Sequence, residues 1–347
     1  MRSFGRRRFS KLLRNHPLTT AHQLFSCFPF RAIHQQRDNI MTDNSTKFRY
    51  SAVTGYFVQD DIETDWSNTT TTLPGLGLID QEYETDKDFD PKREKTQWER
   101  FIHFLEYLKK RDAGKAIYKL IYATRHGQGY HNKKESEVGT PAWDEHWAHL
   151  DGDGKTTWFD SNLTELGQGQ ARDLNTFWRT SSAELRLPLP ESHYASPLTR
   201  CLETCQLSFE GLTLPSGEPA PFNPVIKELL REVLGVHSCD RRRTRSYIEK
   251  TFPGFIIEDG LSEKDLLWKP DVRETREEHA VRATKLLDEL FGNDPATVIS
   301  WAVHCGTIIA LYMSTGHKVI CVRPGSVVPV LVKGEIVDSL DCACNKL

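Results

Sequence analysis

Residues 116–132, AIYKLIYATRHGQGYHN, join an apolar run to a polar segment that contains glycine. The run from Ala116 to Ala123 is short and rich in β-branched and aromatic residues, which is typical of a buried strand. The polar segment begins with Arg125, His126 and Gly127. In open α/β sheets, ligands bind beyond the carboxyl ends of the strands, so this cation and this imidazole are placed to contact a ligand.

Further elements predict the same kind of sheet. Residues 97–111 and 277–291 carry apolar side chains at helical spacing, and a third helix is predicted within residues 160–178. The run ATVISWAVHCG, residues 296–306, reads as a buried parallel strand with His304 at its carboxyl end. Alternating strands and helices predict a three-layer α/β/α fold with a mostly parallel sheet and helices on both faces.

The segment ESHYASPLTRCLETCQL, residues 191–207, predicts a short strand followed by a helix. Ser196 is the expected N-cap and Pro197 the expected first helical residue. Arg200 then lies in the first helical turn, where free backbone N–H groups and the helix dipole favour an anion.

Composition excludes several classes of protein. The net charge of -3 gives no sign of nucleic-acid binding, and no apolar run approaches the length of a membrane span. The eight cysteines lack a paired framework, which favours a reducing compartment and therefore an intracellular protein. The Asp151–Gly154 segment resembles a calcium loop, but Lys155 replaces a ligand and Asn162 stands where the closing glutamate belongs, so calcium is rejected there.

Residues 1–37 contain arginines and hydrophobic residues but no acidic residue. This composition is typical of a mitochondrial presequence. The alternative is an upstream extension, with translation starting at Met41 and a cytoplasmic or nuclear protein as the product. The final residues, 345–347, match a peroxisomal address poorly.

Together these pieces resemble the histidine phosphatase superfamily, the phosphoglycerate-mutase-like family, over roughly residues 115 to 335. Five stretches carry the resemblance: Arg125-His126-Gly127 with Asn132, Leu163-Thr164-Glu165-Leu166-Gly167 with Gln170, Ser196-Pro197-Leu198-Thr199-Arg200, Leu230-Arg231-Glu232, and His304. RHGQGYHN and VHSCDRRRTR look most like its fungal phosphomutase-like branch. The resemblance divides the chain into a basic extension, 1–45, and a catalytic domain, 46–347.

The resemblance implies a role for each residue. His126 is the nucleophile, and it forms a phosphohistidine that water later hydrolyses. Arg125 and Arg200 hold phosphoryl oxygens by charge-assisted forks. His304 donates to a third oxygen. No metal and no other cofactor is implied.

The leaving group needs a proton, and Glu232 matches the family's acid position. Glu228, Asp240 and Glu203 are rivals, because the segment after Glu232 lacks the tryptophan of many relatives. Asn132 is expected to bind phosphoryl oxygens, although it could also be a turn residue.

Two other groups of residues have open roles. The first group forms either a cationic rim of the pocket or a solvated helix end, and it consists of the arginines Arg241, Arg242, Arg243 and Arg245. The second group either covers the pocket or belongs to the core, and it consists of the tryptophans Trp143, Trp147 and Trp158.

Three functions follow from the resemblance: hydrolysis of a small phosphorylated metabolite, a phosphoglycerate-type phosphomutase, and non-catalytic binding of a phospho-ligand. Hydrolysis is favoured because the glycines in Gly127-Gln128-Gly129 predict a mobile, accessible mouth. A mutase must instead shield its phosphohistidine from water. The sequence predicts no nucleic-acid or membrane partner, and it leaves the substrate and the oligomeric state open.

Overall fold

The sheet is built around the strand that the quoted segment predicts. In the computed structural model, which describes residues 47–61, 63 and 71–337, seven strands form one mixed sheet of order β1-β7-β2-β6-β3-β4-β5. The strands are β1 Lys47–Ala52, β2 Ala116–Arg125, β3 Ser192–Ala195, β4 Val225–Ile226, β5 Ile256–Ile257, β6 Val298–Val303 and β7 Val327–Val337. Five adjacent strands run parallel, in the order β2, β6, β3, β4 and β5. Strand β7 is antiparallel to both β1 and β2.

Nine α-helices connect or cover the strands in the described part of the chain. They are α1 Asp86–Phe89, α2 Gln97–Arg111, α3 Tyr130–Val138, α4 Thr140–Glu145, α5 Glu165–Leu185, α6 Thr199–Phe209, α7 Arg245–Thr251, α8 Arg276–Asn293 and α9 Cys305–Thr315. The helices expected at residues 97–111, 160–178 and 277–291 are therefore α2, α5 and α8.

Alternate residues of β2 face two separate hydrophobic cores. Leu120 and Tyr122 pack in a core with apolar residues of α2, α5 and α6, whereas Ile121 and Ala123 pack in a second core with residues of α8 and α9. The sheet is thus covered by helices on both faces, and the predicted three-layer α/β/α fold is confirmed.

The carboxyl ends of three parallel strands lie side by side. Arg125 of β2 is opposite Val303 of β6, and Ala195 of β3 is opposite Ala302. The backbone N–H of His126 also donates to the Val303 carbonyl, at 2.9 Å. This register places the residues that follow β2, β3 and β6 at one edge of the sheet.

The described residues lie within one compact unit, Ser45–Leu347. In this part of the chain no helix has the length and hydrophobicity needed to span a bilayer. The predictions made for the basic extension 1–45, for a start at Met41 and for the terminal residues 345–347 lie outside the described residues.

Candidate active site

Two glycines allow the loop after β2 to lie directly against the start of α5. A Cβ atom on Gly127 would lie 2.3 Å from the carbonyl oxygen of Gly167, and a Cβ on Gly167 would lie 2.2 Å from that of Gln128. Only glycine permits backbones to approach so closely. The N–H of Gly127 also donates to Oγ1 of Thr204, at 3.0 Å. These contacts fix His126 at the end of its strand.

The imidazole of His126 is buried, with 2% of the residue exposed. Its Nδ1 lies 2.7 Å from the carbonyl oxygen of Gly127, and Nε of Arg200 donates to its Nε2 at 3.2 Å. This pattern requires the proton on Nδ1 and a lone pair on Nε2. Burial, Arg200 and Arg125 hold the pKa of His126 well below its ordinary value. The ring is therefore neutral at pH 7, with Nε2 facing a guanidinium.

Arg200 is the second residue of α6 and is 1% exposed. It donates from Nη1 to the carbonyl of Cys239 at 2.6 Å, and from Nη2 to Oδ1 of Asp240 at 3.0 Å. The other oxygen of Asp240 pairs with Arg273 at 3.0 Å. These contacts orient the Arg200 guanidinium towards His126.

The start of α6 differs from the prediction. Ser196 is not the N-cap, because α6 begins at Thr199 and Leu198 occupies the cap position. The buried carboxylate of Asp160 accepts from the backbone N and from Oγ1 of Thr199, both at 2.8 Å. The N-terminus of α6 favours an anion, and at Thr199 that anion is the carboxylate of Asp160. The prediction that Arg200 lies in the first turn is correct.

His304 follows β6 and is completely buried. Its Nε2 lies 2.8 Å from Oγ of Ser196 and 3.3 Å from Sγ of Cys201. Its ring centroid is 5.1 Å from that of His126. Burial and the nearby Arg200 hold the pKa of His304 well below its ordinary value. The structure thus brings the two predicted histidines together.

Arg125 and Asn132 lie on either side of His126 in the chain. Arg125 donates from Nη1 to the carbonyl of Val322 at 2.7 Å, while its buried Nε has no hydrogen-bond partner among the described residues. Oδ1 of Asn132 accepts the N–H of Gly129 at 3.0 Å, which closes the first turn of α3. Asn132 therefore has a structural role whether or not it also contacts a ligand.

Three of the four candidate acids are occupied by other partners. Glu203 accepts from Nδ2 of Asn162 at 2.6 Å and from a backbone N–H at 2.7 Å. Glu228 pairs with two arginines, at 2.9 and 2.8 Å. Asp240 pairs with Arg200 and Arg273. Although burial alone would raise the pKa of Asp240, these two arginines lower it below its ordinary value.

Glu232 differs from these three, because its hydrogen bonds come from backbone groups. It accepts the N–H of Val233 at 2.9 Å and that of Gly306, in the first turn of α9, at 3.2 Å. A Cβ on Gly306 would lie 1.9 Å from Oε1 of Glu232, so only glycine leaves room for the carboxylate. Burial, followed by the charge of Asp240, raises the pKa of Glu232.

Comparison with known proteins identifies the family of this chain. Residues 152–318 match the model of the histidine phosphatase superfamily (branch 1). A probable phosphoglycerate mutase of Arthroderma benhamiae is 44% identical over 286 residues, which are 82% of this chain and 84% of the relative. The chain belongs to the histidine phosphatase superfamily. An aligned stretch of this length necessarily includes residues 126, 200 and 232.

Two further relatives of this superfamily member are also fungal. A probable phosphoglycerate mutase of Saccharomyces cerevisiae is 32% identical, over 81% of this chain and 95% of the relative. Phosphomutase-like protein 3 of Candida albicans is 33% identical, over 62% of this chain and 66% of the relative. The predicted resemblance to the fungal phosphomutase-like branch is confirmed.

The four arginines do not share one of the two roles that the sequence left open, a rim of the pocket or a solvated helix end. Arg242 is 2% exposed and pairs with Glu228, so it is part of the interior. Arg241 pairs with Asp151 at 3.1 Å, at a more exposed position. Consecutive arginines therefore have different roles here.

The tryptophans Trp143 and Trp158 belong to a small buried cluster that includes Cys239. Since the Cys239 carbonyl accepts a hydrogen bond from Arg200, this cluster helps to position Arg200. The interpretation of these two tryptophans as core is correct. In the rejected calcium loop, Asp153 accepts from the backbone N–H groups of Lys155 and Thr156, as in an ordinary turn.

In the part of the chain that the structure describes, one group of residues has side chains that could together contact a metal ion. Ligand atoms of His237, Cys239 and Asp240 lie within 4.8 Å of one another. Both Asp240 oxygens are already paired with guanidinium groups, and a metal ion would add a further positive charge beside them. The donor set therefore suits the arginine pairs better than a metal.

Sequence reasoning missed three side chains at the site. Ser196 and Cys201 contact His304, and His131 lies with its ring centroid 5.4 Å from that of His126. All three lie in stretches that carried the resemblance or directly beside them. Their types alone gave no functional signal, because a free cysteine usually behaves as a small buried hydrophobic residue, and a serine or a lone histidine is more often structural than functional.

Proposed function

We propose that this superfamily member hydrolyses phosphomonoesters of a small metabolite through a phosphohistidine at His126. The observation that carries the proposal is the neutral imidazole of His126, with its Nδ1 held by Gly127 and its Nε2 facing Arg200. A neutral nucleophile is suited to attack on a phosphoryl dianion, which repels anions. The nearby guanidinium attracts the phosphoryl group to the nitrogen that attacks.

Arg125, Arg200 and His304 bind the phosphoryl oxygens in this proposal, and Asn132 contributes through its carboxamide. The unpartnered Nε of Arg125 supports the assignment, because a buried donor without a partner is costly until a ligand satisfies it. As the phosphoryl group moves to Nε2 of His126, these donors stabilise the charge on its oxygens.

Glu232 is the proposed acid. Its raised pKa favours the protonated form that a leaving alkoxide requires, and the lowered pKa of Asp240 makes that rival a carboxylate. After the first step Glu232 is a carboxylate, and it can accept a proton from the water that attacks the phosphohistidine. Glu232 therefore acts as the general acid in the first half-reaction and as the general base in the second.

The proposed reaction needs no metal ion. The test is the turnover of p-nitrophenyl phosphate by the full chain in excess chelator. Phosphate release that is unchanged by the chelator supports the proposal. Loss of activity that zinc or magnesium restores contradicts metal independence, and inactivity on a broad panel of phosphomonoesters favours the non-catalytic binding of a phospho-ligand.

A phosphomutase is the second candidate, because two of the fungal relatives are named probable phosphoglycerate mutases. The glycines after His126 no longer argue against it. Gln128 is held at both backbone groups, by Gln170 and by Thr164, and Gly127 is required by packing. The mobile mouth predicted from these glycines is therefore not supported.

An assay with 3-phosphoglycerate separates the two candidates. Inorganic phosphate and 2-phosphoglycerate are measured in the same reaction, with and without a bisphosphate primer. Faster release of phosphate supports the hydrolase. Faster isomerisation that depends on the primer supports the mutase.

An intracellular location is part of the proposal, and it is supported by the five described cysteines, which are all free. Sequencing the amino terminus of the mature protein tests the compartment. A start at Met41 favours the cytoplasm or nucleus, whereas a cleaved basic segment favours mitochondria.

A further inference from the structure

His131 is a third buried histidine at the site. It lies in the first turn of α3, is 8% exposed, and its ring is tilted by 51° to that of His126 at a centroid distance of 5.4 Å. The two imidazoles are close enough to contact the same small ligand. None of the roles assigned so far uses His131.

The ring of His131 has a polar atom that the protein does not satisfy. Its Nδ1 is buried and has no hydrogen-bond partner among the described residues. A Cβ on Gly129 would lie 2.6 Å from this nitrogen, so glycine at that position allows the ring to lie against the backbone. The backbone N–H of His131 donates to Oγ of Ser161 at 3.4 Å.

Nδ1 is unsatisfied in either neutral tautomer, as a donor without an acceptor or as an acceptor without a donor, and both cost about 1–3 kcal/mol. An anionic ligand at Nε2 can accept a hydrogen bond only from the tautomer with its proton on that nitrogen, so such a ligand selects this tautomer. Nε2 is not among the buried unpartnered atoms of the described residues, so it is the ring nitrogen open to a ligand.

The charges around His131 select an anionic ligand. Burial, and then Arg200, His126, Arg125 and His237, hold its pKa well below the ordinary value. The ring is a neutral N–H donor beside two guanidinium groups. A phosphoryl dianion that reaches these guanidinium groups would accept the N–H and lower the local positive charge.

We infer that His131 contacts the substrate's phosphoryl group, donating from Nε2 to one of its oxygens while that group is bound at His126. This inference rests on the proposed function, in which His126 receives the phosphoryl group. His131 then acts with the two arginines and His304, so that two further imidazoles lie close to the nucleophile.

The first test measures whether phosphate binding to the wild-type chain affects the His131 ring. Imidazole 15N resonances of the full-length protein are followed as inorganic phosphate is added, and His131 is assigned from the spectrum of His131→Gln. The His131 resonances are expected to move on the same saturation curve as those of His126. His193 is the internal control, because it is a buried ring bonded to Ser300 and is not part of the site. Phosphate binding that shifts His126 and leaves His131 unmoved overturns the inference.

The second test is kinetic. His131→Phe keeps an aromatic ring beside His126 but removes the donor, so kcat/KM should fall about 10- to 100-fold, the equivalent of one hydrogen bond to a charged group. His131→Gln places a carboxamide nitrogen near the position of Nε2 and should restore part of the loss. His193→Phe should leave kcat/KM unchanged.

The outcomes separate this inference from the proposed function. A purely structural role predicts equal losses in His131→Phe and His131→Gln, and this result overturns the inference even if the wild type is active. A wild type that neither binds phosphate nor hydrolyses phosphomonoesters overturns the proposed function and the inference with it.

Discussion

Arg200→Ala removes the group that contacts Nε2 of His126, the attacking nitrogen in the proposed reaction. In the proposed reaction, the Arg200 guanidinium makes two charge-assisted hydrogen bonds to phosphoryl oxygens, each contributing about 1.5–3 kcal/mol. A loss of about 3–6 kcal/mol corresponds to a fall in kcat/KM of about 10²- to 10⁴-fold. Arg200→Lys should restore only part, because an ammonium group cannot form the same planar fork.

Arg200→Ala should lower the free energy of unfolding by less than the loss of a buried ion pair usually does. Asp240 loses Arg200 but keeps Arg273, at 3.0 Å, so its buried carboxylate still has a partner. The expected loss in the free energy of unfolding is about 3 kcal/mol, the lower end of the range for a broken buried pair.

The assay measures kcat/KM for p-nitrophenyl phosphate together with denaturant unfolding. Arg100→Ala is the matched control, because Arg100 of α2 is mostly buried and pairs with Asp86 of α1, and neither residue belongs to the site. It should lower stability without changing kcat/KM. Near-wild-type activity of Arg200→Ala would refute the reasoning, because it would mean that the phosphoryl group does not bind beside Nε2 of His126.

Further predictions concern acid catalysis, packing and pH. Glu232→Gln should lower turnover of an alkyl phosphate about 10²- to 10⁴-fold and that of p-nitrophenyl phosphate much less, because nitrophenolate leaves without a proton; equal losses would contradict the acid role. Gly127→Ala should lose about 1–3 kcal/mol of stability and most activity, because the added methyl group meets the Gly167 carbonyl. Gly169→Ala is the control, and it should fold and turn over substrate normally because the space around Gly169 is open. The three buried histidines of the site have lowered pKa values, so the unfolded chain binds more protons below about pH 6.5. Unfolding free energy measured by denaturant should therefore fall with decreasing pH, by up to about 1.4 kcal/mol per pH unit for each histidine, and a value that stays constant down to pH 5.5 would contradict this.

Local pattern was sufficient to predict the central strands and most long helices. β6 is completely buried between two parallel neighbours, so its unbroken apolar run could be recognised in the sequence. Helix α2 was equally clear, because buried residues such as Phe101, Phe104 and Leu108 recur at helical spacing within one short segment. The information for such elements lies within a few residues of one another.

Elements that depend on distant partners could not be predicted in this way. The cap of α6 comes from Asp160, 39 residues before Thr199, so Ser196 was the reasonable local choice and was wrong. Arg242 reads as one of several surface arginines, yet Glu228 and the carbonyls of a later loop hold it in the interior. Tertiary contacts decide both cases.

Family motifs predicted which site residues come together, but not what holds them. His126, Arg200 and His304 meet as the resemblance implied. The resemblance already favoured Glu232 over Asp240, but the physical reason needed the structure, which shows that Asp240 is paired with arginines and that Gly306 makes room for Glu232. Composition and spacing contain neither fact.

The central claim is that His126 becomes phosphorylated during turnover. Full-length wild type and His126→Ala are mixed briefly with a 32P-labelled phosphomonoester, quenched in alkali, and divided between alkaline and acidic incubation. We expect label on the wild type that survives alkali, is lost in acid and maps to the peptide containing residue 126, and no label on the variant. Label that persists in folded His126→Ala, or a wild type that turns over substrate without any acid-labile label, would contradict it.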